Sequence, residues 1–433
     1  MNILLINVHS SQNAGDAALT ELTIRQLQEN FPGSQITLAM DDPESHRGDG
    51  RALHSFFTWL RAVSRDGRPG WRKLNLLWLV PATAVPILSY RFMGRPLFAF
   101  TPPGLRELVR AYLSADLIVS KPGGFLYHSG TGLTLLLTVY TMVMGLMAGK
   151  PLYIFPQSFG PFAHRWERLL IRKLLAHVRI VMAREPVSLQ QLQACGLVHP
   201  RCYLVPDLAF AYPAASRSAA EAWLRAQGMR PWNGRPFLGV TLINWGAQNP
   251  RFRLQSAYEA AVAAAARHFV GRYKGSVILF HQVRGPLPIQ DDRVPARRVA
   301  AQLSDLGAAV QVLEGPVPPD LLKALYGMMD IFIGSRMHSN IFALSEGVPV
   351  IAIGYQHKTR GIAQIAGLER WVLDIQEVSP QTLIAKLDEL WAEREAVREH
   401  IRHRLPGLCQ QANRAGAIIA ADFAALWGKA SYG

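Results

Sequence analysis

Residues 330–354 read DIFIGSRMHSNIFALSEGVPVIAIG. Two aliphatic runs, Asp330–Ile333 and Val348–Ile353, bracket a stretch of helical character from Met337 to Glu346. Short unbroken aliphatic runs suit parallel strands covered on both faces. A strand, a helix and a second strand in such close succession form a βαβ unit. Gly334 lets the chain turn out of the first strand, and Arg336 and His338 fall where that strand hands over to the helix. In an open parallel sheet, ligands bind beyond the carboxyl ends of the strands. Arg336 is permanently cationic and can hold an anion, whereas His338 titrates near neutrality and can move protons.

The same alternation extends in both directions. Downstream, Tyr355-Gln-His357-Lys358-Thr359-Arg360-Gly361 follows the second strand, so two cationic loops stand on neighbouring βα units and suit an anion. Upstream, strands are expected at 237–242, 275–281 and 309–313, with helices near 255–270, 293–306 and 318–328. An earlier series starts at Asn2, with strands at 2–8, 34–40, 115–120, 151–155, 178–183 and 202–205 and helices near 16–30, 131–148, 163–176 and 186–195. The stretch between the two series holds Pro213, Pro231, Asn233, Gly234 and Pro236 and reads as a linker. The expected organisation is an N-terminal α/β domain over 1–212 with a basic, apolar insertion at about 50–110, a linker at 213–236, a second α/β domain at 237–377 and a helical tail at 378–433. The fold class is α/β, with two doubly wound Rossmann-like domains facing a cleft in the GT-B manner and a helical C-terminal tail.

A chain of 433 residues accommodates two or three domains, and its 49% hydrophobic content can bury a large core, which excludes a disordered or fibrous class. Its three cysteines form no CxxC pair, and the start MNILLINV lacks the basic region and cleavage site of a secretory signal, so a cytoplasmic location is expected. The formal charge of +15 calls for an acidic partner. Part of the excess lies at 61–110, where Arg61, Arg65, Arg68, Arg72, Lys73, Arg91, Arg95, Arg106 and Arg110 surround an apolar run broken by Pro81 and Pro86. That segment is too short and interrupted to span a bilayer; it fits an element lying on an anionic inner-membrane face, or a buried insertion with a solvated rim. No recognition motif accompanies the charge, so no nucleic-acid partner is expected.

Four further constellations sit at strand ends. Asn13-Ala-Gly15-Asp16 opens the first helix and suits either an anion at the helix N-terminus or ordinary capping. Gly123-Gly124 allows close approach of backbone to a ligand and leads to His128. Phe155-Pro-Gln157-Ser-Phe-Gly-Pro161 offers polar side chains from a stiff loop. Arg184-Glu185 with Ser188 gives either an anion clamp or a structural ion pair. Asn244, after the strand at 237–242, joins Asn13, Gly15, Asp16, Gly124 and Gln157 as a candidate phosphate or acceptor contact. Asp291-Asp292 leaves a metal open but reads equally as a solvated helix start, and neither a metal nor a cofactor is expected.

Taken in order, Asn13-Ala-Gly-Asp16, Gly123-Gly124, Gln157-Ser-Phe-Gly-Pro161, Arg184-Glu185 with Ser188, Pro206-Asp207, Asp291-Asp292-Arg293 and above all Gly334-Ser-Arg336-Met-His338-Ser339 resemble the polysaccharide pyruvyl transferases. The resemblance runs from residue 2 to about 370. It implies a GT-B-like fold, phosphoenolpyruvate as donor and a hexose of a polysaccharide or lipid-linked oligosaccharide as acceptor. It also implies that His338 acts as the acid and that Arg336, Arg184, Lys358 and Ser339 bind the donor. The chain departs from the family pattern at His128 and Ser129, where many members carry an acid, so the acceptor side differs. The competing reading is a nucleotide-sugar glycosyltransferase of the same architecture, for which Ser345-Glu-Gly-Val-Pro349 resembles a ribose-holding loop.

Overall fold

The computed structural model describes residues 1–65, 71–128, 132–228, 234–249 and 251–430. Arg68, Ser129, Pro231 and Asn233 lie outside the described residues. The chain divides into two compact units, one formed by 1–11, 19–208 and 413–433 and the other by 12–18 and 209–412. Among the described residues, each unit is built on a wholly parallel sheet.

In the first unit, β1 (Asn2–Val8) leads through α1 (Ala14–Asn30) to β2 (Gln35–Met40) and β3 (Arg51–His54). Three helices follow, α2 (Phe56–Arg65), α3 (Trp71–Met93) and α4 (Pro103–Ser114). Then come β4 (Leu117–Ser120), β5 (Gly123–Leu126), α5 (Leu133–Met147), β6 (Leu152–Phe159), α6 (Arg165–Leu175), β7 (Ile180–Ala183), α7 (Pro186–Ala194) and β8 (Cys202–Leu204). The strands run in the order β3-β2-β1-β4-β6-β7-β8, with β5 also paired to β6. β1 buries six of its seven residues, which is why its aliphatic run is unbroken.

The expected insertion is helical, and α3 is apolar around most of its circumference. Leu79, Ala82 and Ile87 turn inward, and Leu79 and Ile87 join the core formed with α4 and α5. Leu77, Val80, Leu88 and Phe92 face outward, with Phe92 80% exposed. Two prolines, Pro81 and Pro86, are tolerated inside the helix. Pro86 has no N–H to offer the carbonyl of Ala82, and the Thr101 hydroxyl donates to that carbonyl instead, at 2.6 Å.

In the second unit, α8 (Arg217–Ala226) precedes β9 (Phe237–Thr241), α9 (Trp245–Gln248), α10 (Gln255–Tyr273) and β10 (Ser276–Phe280). The chain continues through α11 (Arg293–Gln302), β11 (Val310–Val312), α12 (Pro319–Gly327), β12 (Ile331–Gly334), α13 (Met337–Ser345), β13 (Val350–Gly354), α14 (His357–Ala366), β14 (Val372–Asp374) and α15 (Pro380–Ala412). Sheet order is β11-β10-β9-β12-β13-β14, the dinucleotide-fold order with its switch point between β9 and β12. The helical tail divides. α15 packs on α10, with Trp391 against Tyr273 at 4.6 Å and Asp388 2.7 Å from His268. The last helix, α16 (Ala415–Ala430), belongs to the first unit, where Asp422 pairs with Arg179 and Arg201 at 2.9 and 2.7 Å and accepts from Tyr153. Among the described residues, no helix is long and apolar enough to cross a membrane.

Candidate active site

The switch point of the second sheet places the loops after β9 and β12 side by side. β12 ends at Gly334, and a Cβ there would strike the Asn340 side chain, so only glycine fits. Arg336 is the residue before α13. Ser339, on the first turn, is fully buried; its hydroxyl donates to the Arg336 carbonyl at 2.7 Å and meets Thr241 at the end of β9, also at 2.7 Å. The Ser339 hydroxyl therefore ties the helix to the strand. Ser335 is held in the same way by Tyr258, at 2.6 Å.

The Arg336 guanidinium points at Asp292, the residue preceding α11. Nε lies 3.0 Å and Nη2 2.6 Å from Oδ1, and Nη2 also reaches the Gln290 carbonyl at 3.2 Å. Asp292 is wholly buried, and its Oδ2 accepts the backbone N–H groups of Val283 and Gln282 at 2.9 and 3.2 Å. Burial works against the charge on Arg336, yet the carboxylate of Asp292, with Tyr355 nearby, holds its pKa above the ordinary arginine value. Asp291 is committed to Arg293 through contacts of 2.7–3.2 Å. Both carboxylates of the Asp291-Asp292 pair thus serve as arginine partners.

The N-terminal motif comes to this same place. Asn13 forms an antiparallel bridge with Val283, Ala14 N donates to Gln282 O at 3.0 Å, and Arg284 N donates to Gln12 O at 2.9 Å. Asn13 Oδ1 accepts from the N–H groups of Gly15 and Asp16 at 3.1 and 3.4 Å, and its Nδ2 donates to Asp16 at 2.7 Å. The capping reading of Asn13 is therefore realised. Gly15 is buried against His338, and a Cβ on Gly15 would fall inside the imidazole. His338 is part-buried, with Nε2 itself buried. The segment 12–16, the loop 281–292 and the first turn of α13 form one continuous assembly at the carboxyl edge of the sheet.

Lys358 lies in the first turn of α14, after β13. Tyr355 in the preceding loop packs on Trp245 at 4.4 Å. Asn244 precedes Trp245, is buried, and accepts from Arg298 at 3.4 Å.

The remaining candidates belong to the first unit. Gly123 pairs in register with Gln157 across β5 and β6, so Gly123-Gly124 and Gln157 share one strand end. Gln157 is buried; its Nε2 donates to the Ser158 carbonyl at 3.1 Å, while Oε1 has no hydrogen-bond partner among the described residues. Arg184 is only 1% exposed and bonds to Asp207 at 2.5 Å and Ser158 at 2.7 Å, with Glu185 at 3.6 Å. This is the structural ion pair weighed from the sequence, and any donor contact would require Arg184 to exchange one of these partners. His128 holds the fully buried Glu167 through Nδ1 at 2.6 Å. That bond is a main reason, after burial acting the other way, that the Glu167 carboxyl sits below its ordinary range.

The family model for polysaccharide pyruvyl transferases matches residues 13–357, which takes in the motifs from Asn13 to His338 and ends one residue before Lys358. The chain belongs to the polysaccharide pyruvyl transferase family. It is similar to the amylovoran biosynthesis protein AmsJ of Erwinia amylovora, 24% identical over 413 residues that cover 93% of this chain and 94% of that protein. Among solved structures, the pyruvyl transferase resembles the UDP-GlcNAc 2-epimerase of Neisseria meningitidis, with TM-score 0.54 at 12% identity over 98% of this chain and 99% of that one. It also resembles HepE (Alr3699) of Anabaena, with TM-score 0.53 at 14% identity over 99% and 100% of the two chains. At such identity these likenesses show the fold, which is GT-B-like as expected from the sequence.

Sequence reasoning passed over two residues of this pyruvyl transferase. His281, at the end of β10, is buried and bonded to the Gly315 carbonyl at 2.7 Å, and burial pushes its pKa down to about 4. Arg284 sits three residues on, in a Val-Arg-Gly-Pro turn with no motif to mark it.

Proposed function

We propose that the enzyme transfers the pyruvyl group of phosphoenolpyruvate to two hydroxyls of a hexose in a polysaccharide or lipid-linked oligosaccharide precursor, forming a cyclic ketal and releasing phosphate. The observation that carries this reading is the packing of His338 on Gly15 beside the Arg336–Asp292 pair, which joins the family's first and last motifs at the switch point of one sheet.

Phosphoenolpyruvate is an enol ether. His338 gives a proton to its methylene carbon, and the π electrons form the new C–H bond and leave the adjacent carbon electrophilic. A sugar hydroxyl adds there and loses its proton. Phosphate then departs with its C–O bonding pair, and a second hydroxyl of the same sugar closes the ketal. Arg336, held by Asp292 along its Nε–Nη2 edge, and Lys358 on the next βα unit supply positive charge to the donor. Asn13 and Asp16 fix the loop that carries Gly15. Gly124 and Gln157 serve the acceptor, for which the buried Gln157 Oε1 offers a hydroxyl acceptor. Arg184 orders the ends of β6 and β7. The outward face of α3, with exposed Leu77, Leu88 and Phe92 and with Arg95 just past its end, suits an anionic membrane surface on which a lipid-linked acceptor would be presented.

The test is incubation of the protein with phosphoenolpyruvate and a panel of lipid-linked and aryl hexosides, with phosphate release and product mass as readouts. The reading expects phosphate and a product heavier by one pyruvyl ketal in equal amounts. Consumption of a nucleotide sugar with phosphoenolpyruvate left intact would replace it with glycosyl transfer.

A further inference from the structure

Four arginines in and around the 281–298 segment have carboxylate partners: Arg293 with Asp291, Arg297 with Glu314, Arg298 with Glu259 and Arg336 with Asp292, all at 2.6–2.7 Å. Arg284 differs. Among the described residues its guanidinium has no carboxylate partner, and its Nε is buried without a hydrogen bond. Two residues earlier, Gln282 presents a second orphan: Oε1 accepts from Tyr326 at 2.9 Å, but Nε2 is buried and unbonded. Burial and the neighbouring Arg293 depress the pKa of Arg284, and Asp291, which opposes them, is occupied by Arg293. Buried donors without acceptors are costly, and a desolvated cation without a counter-charge more so.

The position of this pair matters. The backbone of 282–284 is bridged to Gln12, Asn13 and Ala14, and a Cβ on Gly285 would strike the Gln12 side chain. The same backbone donates to Asp292, the partner of Arg336. His338 rests on Gly15, in the strap that 282–284 holds. The unpaired cation therefore belongs to the assembly that carries the family motifs.

We propose that Arg284 is an anion-binding residue of this site, taking phosphate oxygens of the donor with the Gln282 amide beside it. An arginine fork matches a phosphate edge with two parallel bonds, and Nε is one of the two donors such a fork uses. Arg336, whose Nε–Nη2 edge is taken by Asp292, cannot offer that edge; Arg284 can. The inference deepens the pyruvyl-transfer reading by naming the phosphate contact, and rests on it only for which phosphate compound is bound.

Titration calorimetry of the full chain with inorganic phosphate and, separately, with phosphoenolpyruvate tests this in wild type, Arg284→Met and Arg284→Lys. Arg284→Met should bind both ligands at least about tenfold more weakly, the loss expected for a charge-assisted pair. Arg284→Lys should recover part of that, since it restores charge but not the fork. Without ligand, Arg284→Met should unfold at the wild-type temperature or above it, because it removes a buried Nε–H that has no acceptor; a purely structural arginine would give the opposite sign. Unchanged affinity for both ligands in Arg284→Met, or a lower ligand-free unfolding temperature with affinity retained, would overturn the proposal. Binding is read without acceptor. A chain that binds phosphate through Arg284 yet transfers no pyruvyl group would sink only the reaction. One that transfers it with an unaltered donor KM in Arg284→Met would sink only this assignment.

Discussion

Gly15→Ala is a single-methyl change whose consequence follows from one contact. The new Cβ would lie inside the His338 imidazole, so the ring must retreat by roughly an ångström or more to reach van der Waals separation. Gly15 has no positive φ, so alanine adds no backbone strain, and the effect isolates packing against the histidine. Overpacking of this size costs about 1–3 kcal/mol of stability. The catalytic cost should be larger, because displacing a proton donor by about 1 Å lowers turnover on the order of a hundredfold. The donor KM should move less, since the Arg336–Asp292 pair is untouched. Gly271→Ala is the control: it lies in α10 with nothing within 4 Å of its Cβ, and it should be neutral or slightly stabilising. Turnover with phosphoenolpyruvate, alongside thermal melts of both variants, gives the comparison. A folded Gly15→Ala protein with wild-type turnover would refute the claim that the 12–16 strap positions His338.

Asp292→Asn leaves Arg336 buried without its counter-charge and should lower urea-unfolding stability by about 3–5 kcal/mol while raising the donor KM. His281 has a folded pKa of about 4 against roughly 6.5 unfolded, so between those values the unfolded chain binds a proton that the native state does not. Stability should therefore fall as pH drops from about 6.5 to 4, by up to about 3 kcal/mol from this group, and the His281→Gln variant, which keeps a donor for Gly315 O, should show a flatter acid limb in denaturant melts. On α3, Leu88→Asp with Phe92→Asp changes two exposed residues, so folding should persist. Sedimentation with phosphatidylglycerol-containing vesicles should weaken at least about tenfold, and equal binding by variant and wild type would remove the membrane role of that face.

The two parallel sheets were legible because their central strands are aliphatic runs, and the βα junctions because glycine, arginine and histidine follow those runs directly. The elements missed are those in which local sequence and tertiary setting disagree. β3 (RALH) is short and polar, and β5 (GGFL) starts with two residues of poor strand propensity; each is held by pairing to a neighbour. α3 carries two prolines that normally break helices, and the carbonyl freed by one of them is satisfied by a hydroxyl 19 residues further along the chain. The attachment of residues 12–18 to the second unit, and of α16 to the first, rests on partners hundreds of residues distant, such as Gln282 for Ala14 and Arg179 for Asp422. No local pattern encodes such pairings. For the same reason the motif flagged Arg336 but not the buried Asp292 as its partner, and it missed Arg284, whose significance lies in a carboxylate it does not have.

The central claim is that His338 protonates the methylene carbon of phosphoenolpyruvate. The most direct measurement is the reaction run in heavy water with wild type and His338→Gln, reading the mass and proton spectrum of the ketal methyl group. The account predicts one solvent-derived deuterium in that methyl in the wild-type product, and a fall in rate of about 10²–10⁴-fold in a folded His338→Gln variant. A methyl group without solvent deuterium, or a variant that turns over at the wild-type rate, would contradict it.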